Sequence, residues 1–161
     1  MNIYDFSVDK INGEFTSLRE YEGKVILIVN SATRCGFTPQ YDELEDLYEA
    51  YVEDGFVILE FCQTEFGQQA PESNQEIAAF CDAKFGIHFP HFAKVLVNGE
   101  YANPLFKYFY RMSRDSVDST RNTRLQPCWR VSLKGKTPIT KTNRISNGIL
   151  QNSWWIVPAK A

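Results

Sequence analysis

The stretch "KVILIVNSATRCGFTPQYDELEDLYEAY" (24–51) decides how the rest of the chain is read. It opens on a run of Val, Ile and Leu, the signature of a strand buried on both faces. After a short polar turn, Tyr41, Leu44, Leu47, Tyr48, Tyr51 and Val52 recur at helical spacing with acids between them. A buried strand feeding an amphipathic helix is the first half of a βαβ unit. "EDG" (53–55) stops the helix, with Gly55 suited to the left-handed position after its last turn. "FVILEF" (56–61) is a second buried strand, and Ser73 or Asn74 caps a second helix, "QEIAAFCDAKFG". "AKVLVNGEYANPLFKYF" (93–109) reads as a strand, an Asn-Gly turn and the start of a third helix. The fold class is therefore α/β: a central mixed sheet flanked by helices.

Cys35 stands in the turn between the first strand and its helix. On placement alone it reads equally as a buried inert thiol or as a nucleophile. The helix N-terminus beyond it and the neighbouring Arg34 both favour a thiolate. An ordinary thiol, with a pKa near 8.5, is only about 3% ionised at pH 7.

The chain has 161 residues, enough for one domain with a substantial core. Apolar residues make up 43% and charged residues 23%, as in a water-soluble globular protein. No apolar run reaches membrane-spanning length, and "MNIYDFSVDK" has neither the basic region nor the apolar stretch of a signal peptide. The expected compartment is the cytoplasm, where the four cysteines (35, 62, 81 and 128) are thiols at rest. With no CxxC pair and two histidines, nothing spells a zinc site, and no cofactor is expected. His88 and His91 read as surface or packing residues, and "DELEDLYE" as a solvated helix face. Phe56, Phe61, Phe66, Phe89 and Phe92 read as core or turn packing.

Net charge is −3 but uneven. Residues 1–107 hold 7 Lys/Arg and 18 Asp/Glu, whereas 108–161 hold 10 and 2. The basic tail lacks the aromatic interleaving of a nucleic-acid surface, so no nucleic-acid partner is expected. From about residue 109 both hydrophobic periods fail, and no regular elements are expected there.

Three segments resemble the glutathione peroxidase family: "GKVILIVNSATRCGFTPQYDELEDLYEAY", "GFVILEFCQTEFGQQAPESNQEI" and "FPHFAKVLVNGEYANPLFKY". The family counterpart of the second reads roughly GFxILGFPCNQFGxQEPGSNEEI. The resemblance runs from residue 1 to about 108 and implies a thioredoxin-like fold. It also implies a thiol-dependent peroxidase that reduces hydrogen peroxide and organic hydroperoxides through a cysteine sulfenic acid, protecting against oxidative stress. By it, Cys35 aligns with the peroxidatic position and Gln69 with the catalytic glutamine. Cys81 aligns with the cysteine that resolves the sulfenic acid, and thioredoxin or glutathione is the reductant. Read without the resemblance, Gln69 is an ordinary loop residue, and Cys81, beside Ile77 and Phe80, is a core position.

The chain departs from the family in two places. "FCQTEF" (61–66) stands for FPCNQF, which moves a cysteine one position forward to Cys62. The family's WNFxKFLVDxxGK is missing: Trp129 precedes Arg130, and Trp154 precedes Trp155. Yet "NGILQNSWWIVPAK" (147–160) can be encoded by a stretch whose shifted frame reads WNFAKFLVDRAGK. On that reading, residues 1–108 form an incomplete peroxidase domain. Residues 109–161 are then an out-of-frame basic tail replacing its end, leaving the first strand without a neighbour on one side. The alternative function is a catalytically impaired, frame-shifted or truncated thioredoxin-like binding module.

Overall fold

A computed structural model describes residues 2–36, 38–63, 68–117 and 154–157, with backbone alone at 112–117 and 154–157. A small antiparallel hairpin, β1 (Ser7–Asp9) and β2 (Phe15–Ser17), precedes the main sheet. β3 (Val25–Ser31) is the predicted buried strand, and all seven of its residues are buried. Helix α1 (Gln40–Tyr51) follows, then β4 (Phe56–Cys62), α2 (Asn74–Phe85), a two-residue β5 (His91–Phe92), α3 (Pro104–Val117) and β6 (Trp154–Val157). The main sheet has the order β5-β4-β3-β6. β3, β4 and β5 are parallel, and β6 is antiparallel to β3.

The continuous apolar runs of β3 and β4 are explained by cover on both faces. Val25, Leu27 and Val29 with Phe56, Ile58 and Cys62 pack against Tyr41 and Leu44 of α1 and Ile77 and Cys81 of α2. Ile26 and Ile28 with Val57, Leu59 and Phe61 pack against Leu105, Phe106 and Phe109 of α3 and Ile3, Tyr4 and Val8 near the N-terminus. Side chains alternate across the strands with period two, so one sheet serves two cores.

The punctuation falls as the residues dictate. Gly55 adopts φ +83° at the stop before β4. Ser73 caps α2 in a reciprocal box with Glu76, and Asn103 Oδ1 accepts the Leu105 N–H ahead of Pro104 in the first turn of α3.

Three expectations need correction. "AKVLV" is not a strand: regular pairing ends at Phe92. The chain then leaves the sheet edge, with the Ala93 N–H donating to the Asp9 carbonyl and the Val95 N–H to the Cys62 carbonyl. Beyond residue 109, α3 continues to Val117, since no Gly or Pro interrupts it. β6 pairs with β3 in the register Ile26↔Val157 to Val29↔Trp154, so β3 does have a neighbour on that side. "WWIV" is a run of strong strand formers, and an open edge pairs with such a run through main-chain groups. Phe66, Cys128 and Trp129 lie outside the described residues.

Candidate active site

Cys35 sits in the turn between β3 and α1, 9% exposed. One hydroxyl organises this turn. Thr38 Oγ1 accepts the Cys35 N–H at 3.0 Å, and the Cys35 carbonyl accepts the Thr38 N–H at 3.0 Å. The same Oγ1 lies 3.0 Å from the Ala32 carbonyl and 2.7 Å from that of Cys35, both acceptors for its single proton. The loop is thereby cross-braced around the thiol before the helix begins at Gln40.

The loop before α2 lies against this turn. The Gln69 carbonyl accepts the Arg34 N–H at 2.8 Å and is approached by Thr33 Oγ1 at 3.3 Å. Main-chain bonding therefore holds Gln69, which is half-buried, beside the residue that precedes Cys35. The Arg34 side chain pairs with Glu72. Its Nε donates to Glu72 Oε1 at 2.6 Å, with two thirds of the side chain exposed.

Cys81 is fully buried on α2, in the same core cluster as Cys35 and Cys62. Burial, then the negative charge of Glu60, pushes its thiol up to about 12, against a hydrogen bond from Tyr41. Cys62 is driven up further, again by burial first and Glu60 second. In this closed arrangement both are neutral thiols.

Glu60 was not singled out in the sequence. It stands where the family pattern has glycine, on the face of β4 that looks toward α1 and α2, and has no solvent exposure. Its Oε1 accepts the Ser31 hydroxyl and, at 2.9 Å, the Tyr41 hydroxyl. Its Oε2 lies 2.9 Å from His91 Nδ1. His91 is thus a mostly buried hydrogen-bonding partner of Glu60, whereas His88 is on the surface. Glu45, from the acidic run, is buried rather than solvated: it accepts the His88 N–H at 3.0 Å and contacts His88 Nδ1 at 2.7 Å. No sequence signal marked these pairs, because their members lie on different elements.

The glutathione peroxidase family model matches residues 3–110. The chain belongs to the glutathione peroxidase family. Over 108 residues it is 51% identical to the glutathione peroxidase homolog BsaA of Halalkalibacterium halodurans, covering 67% of this chain and 69% of that protein. It is 50% identical to the hydroperoxy fatty acid reductase gpx1 of Synechocystis, covering 66% of this chain and 63% of that one. Among solved structures, T. cruzi GPX1 superposes with a TM-score of 0.55 at 32% identity, covering 69% of this chain and 66% of that chain. Trgpx in its apo form gives 0.54 at 34%, covering 69% and 65%. The fold is thus thioredoxin-like, and the chain spans about two thirds of the length of these family members. No helix among the described residues is long and apolar enough to cross a membrane.

Proposed function

We propose that this chain is a thiol-dependent peroxidase acting on hydrogen peroxide and organic hydroperoxides, with Cys35 as nucleophile. What supports the reading is the turn carrying Cys35, braced by Thr38 and bonded through the Arg34 N–H to the Gln69 carbonyl. The Cys35 thiolate attacks the terminal peroxide oxygen. An S–O bond forms, the O–O bond breaks, and the alcohol or water leaves after taking a proton. The Gln69 amide donates to the departing oxygen. The Cys81 thiol then attacks the sulfenic sulfur: the S–S bond forms, the S–O bond breaks and water leaves. Thioredoxin or glutathione returns the disulfide to two thiols. Cys81 is buried and neutral on a capped helix, so α2 opens locally before this step. The cycle belongs in a reducing compartment, for which the cytoplasm is our assignment.

The test compares Cys35→Ser, Cys62→Ser and Cys81→Ser in a coupled thioredoxin assay and, in parallel, with glutathione. Cys35→Ser should abolish peroxide consumption. Cys81→Ser should give one stoichiometric round and then stop with thioredoxin. Cys62→Ser should turn over. Full activity in Cys35→Ser would sink the assignment.

A second reading, an impaired frame-shifted module that binds partners without turnover, is favoured by the missing Trp-Asn pair. It takes 1–108 as the peroxidase unit and 109–161 as a replacement ending. The same assay separates the two, because a module without turnover consumes no more peroxide than its Cys35→Ser variant.

A further inference from the structure

The family pattern places an acid two positions before a glycine in QEPGSN; here the order is reversed, with Ala70 at the acid's position and Glu72 at the glycine's. The structure gives that carboxylate two partners, both in the turn leading to Cys35. Oε2 accepts Thr33 Oγ1 at 2.7 Å, and Oε1 accepts Arg34 Nε at 2.6 Å. Behind it, Lys94 Nζ donates to the Glu72 carbonyl at 2.6 Å and reaches that of Ala70 at 3.4 Å. The Lys94 N–H donates to Asn74 Oδ1 at 3.0 Å. The segment carrying Gln69 is therefore anchored from below by Lys94, while its own carboxylate grips the two residues before the nucleophile. Partial desolvation opposes the charge. Hydrogen bonds from Thr33, from the backbone N–H of Glu72 itself and from Arg34 outweigh it and hold this carboxyl below the usual range.

We infer that Glu72 is a positioning residue for the peroxide step: by holding Thr33 and Arg34 it sets the Cys35 sulfur against the Gln69 amide. The inference rests on the proposed roles of Cys35 and Gln69. An ion pair with so exposed an arginine contributes little to stability, so its effect belongs in geometry. A displacement on the order of 1 Å at a reacting centre can cost up to about a hundredfold in rate.

The experiment measures the second-order rate of Cys35 oxidation by hydrogen peroxide, and of its alkylation by iodoacetamide, in single turnover. Alkylation needs the thiolate but not the amide. Glu72→Ala should slow oxidation about tenfold and leave alkylation within about twofold. Glu72→Gln, which keeps an oxygen acceptor for Thr33, should recover at least half of the rate. In a Gln69→Ala background, Glu72→Ala should cost almost nothing more, because its effect passes through that amide. Equal losses in oxidation and alkylation, or losses that multiply with Gln69→Ala, overturn the inference, as does an unchanged oxidation rate. Should Glu72→Ala fail to fold, Thr33→Val removes one grip and is judged by the same pair of rates and the same cycle. A Cys35→Ser protein that still consumes peroxide would defeat the proposed function itself; with that variant inactive, the outcomes above judge Glu72 alone.

Discussion

A carboxylate without solvent contact, set among a histidine, a tyrosine and a serine, is tolerable only while each partner stays in place. Glu60→Ala leaves His91, Tyr41 and Ser31 facing a void, and a buried polar group left without its partner costs about 1–3 kcal/mol. Urea unfolding should show a loss of that size, and the Glu60→Ala/His91→Ala double variant should lose much less than the two singles added together. His88 makes a different prediction. Its hydrogen bond to Glu45, reinforced by that carboxylate's charge, raises its pKa. A raised pKa means that the folded state binds the proton more tightly than the unfolded chain. The stabilisation is therefore complete below the unfolded value, about 6.5, and disappears as pH rises through the folded one. Thermal midpoints of the wild type and His88→Asn should differ most near pH 5.5 and converge above pH 8. Cys35 was legible because strand, turn and helix follow one another in sequence. Glu60 and Glu72 were not, because their partners lie 31 and 38 residues away and charge alone does not say which way a strand or loop turns.

Among the elements, α2 has to be both secure and able to open. Ser73 closes its N-terminus through the box with Glu76, and Gly86 ends it at φ +60°. Ser73→Ala should cost about 1 kcal/mol, which makes opening of the first turns about fivefold more frequent. If access to Cys81 limits resolution, disulfide formation after one peroxide pulse should accelerate by a similar factor while the midpoint falls. A slower rate would mean that the folded helix presents Cys81 to its target. The main helices and the two long strands were legible from periodicity and caps. The misread strand at "AKVLV" shows the limit of that method. Its composition suits a strand, but its pairing partners are Asp9 and Cys62, on different elements. β-Propensity records a fit to a pleated surface, not the presence of one.

At the scale of the molecule, β3 bonds to β4 on one side and to β6 on the other. The first pairing follows from the βαβ pattern. The second was not legible, because a tail without periodicity gives no sign that four of its residues pair with β3. A chain with its frame restored from about residue 109, so that it carries WNFAKFLVDRAGK, tests what that ending is worth. It should exceed the chain as written about a hundredfold in peroxide turnover, the scale of one lost transition-state donor; equal turnover would retire the frame-shift account. The partners of β3 also arrive at different times. β4 follows within a few dozen residues of sequence, but β6 comes from near the far end. At about 5–20 residues per second on the ribosome, the nascent chain carries an unsatisfied row of amides and carbonyls along β3 for on the order of ten seconds. Another nascent copy can zip onto that row. Yield in cells should therefore depend on how fast the last third is translated and on how many ribosomes share a message, even where the finished protein is unchanged.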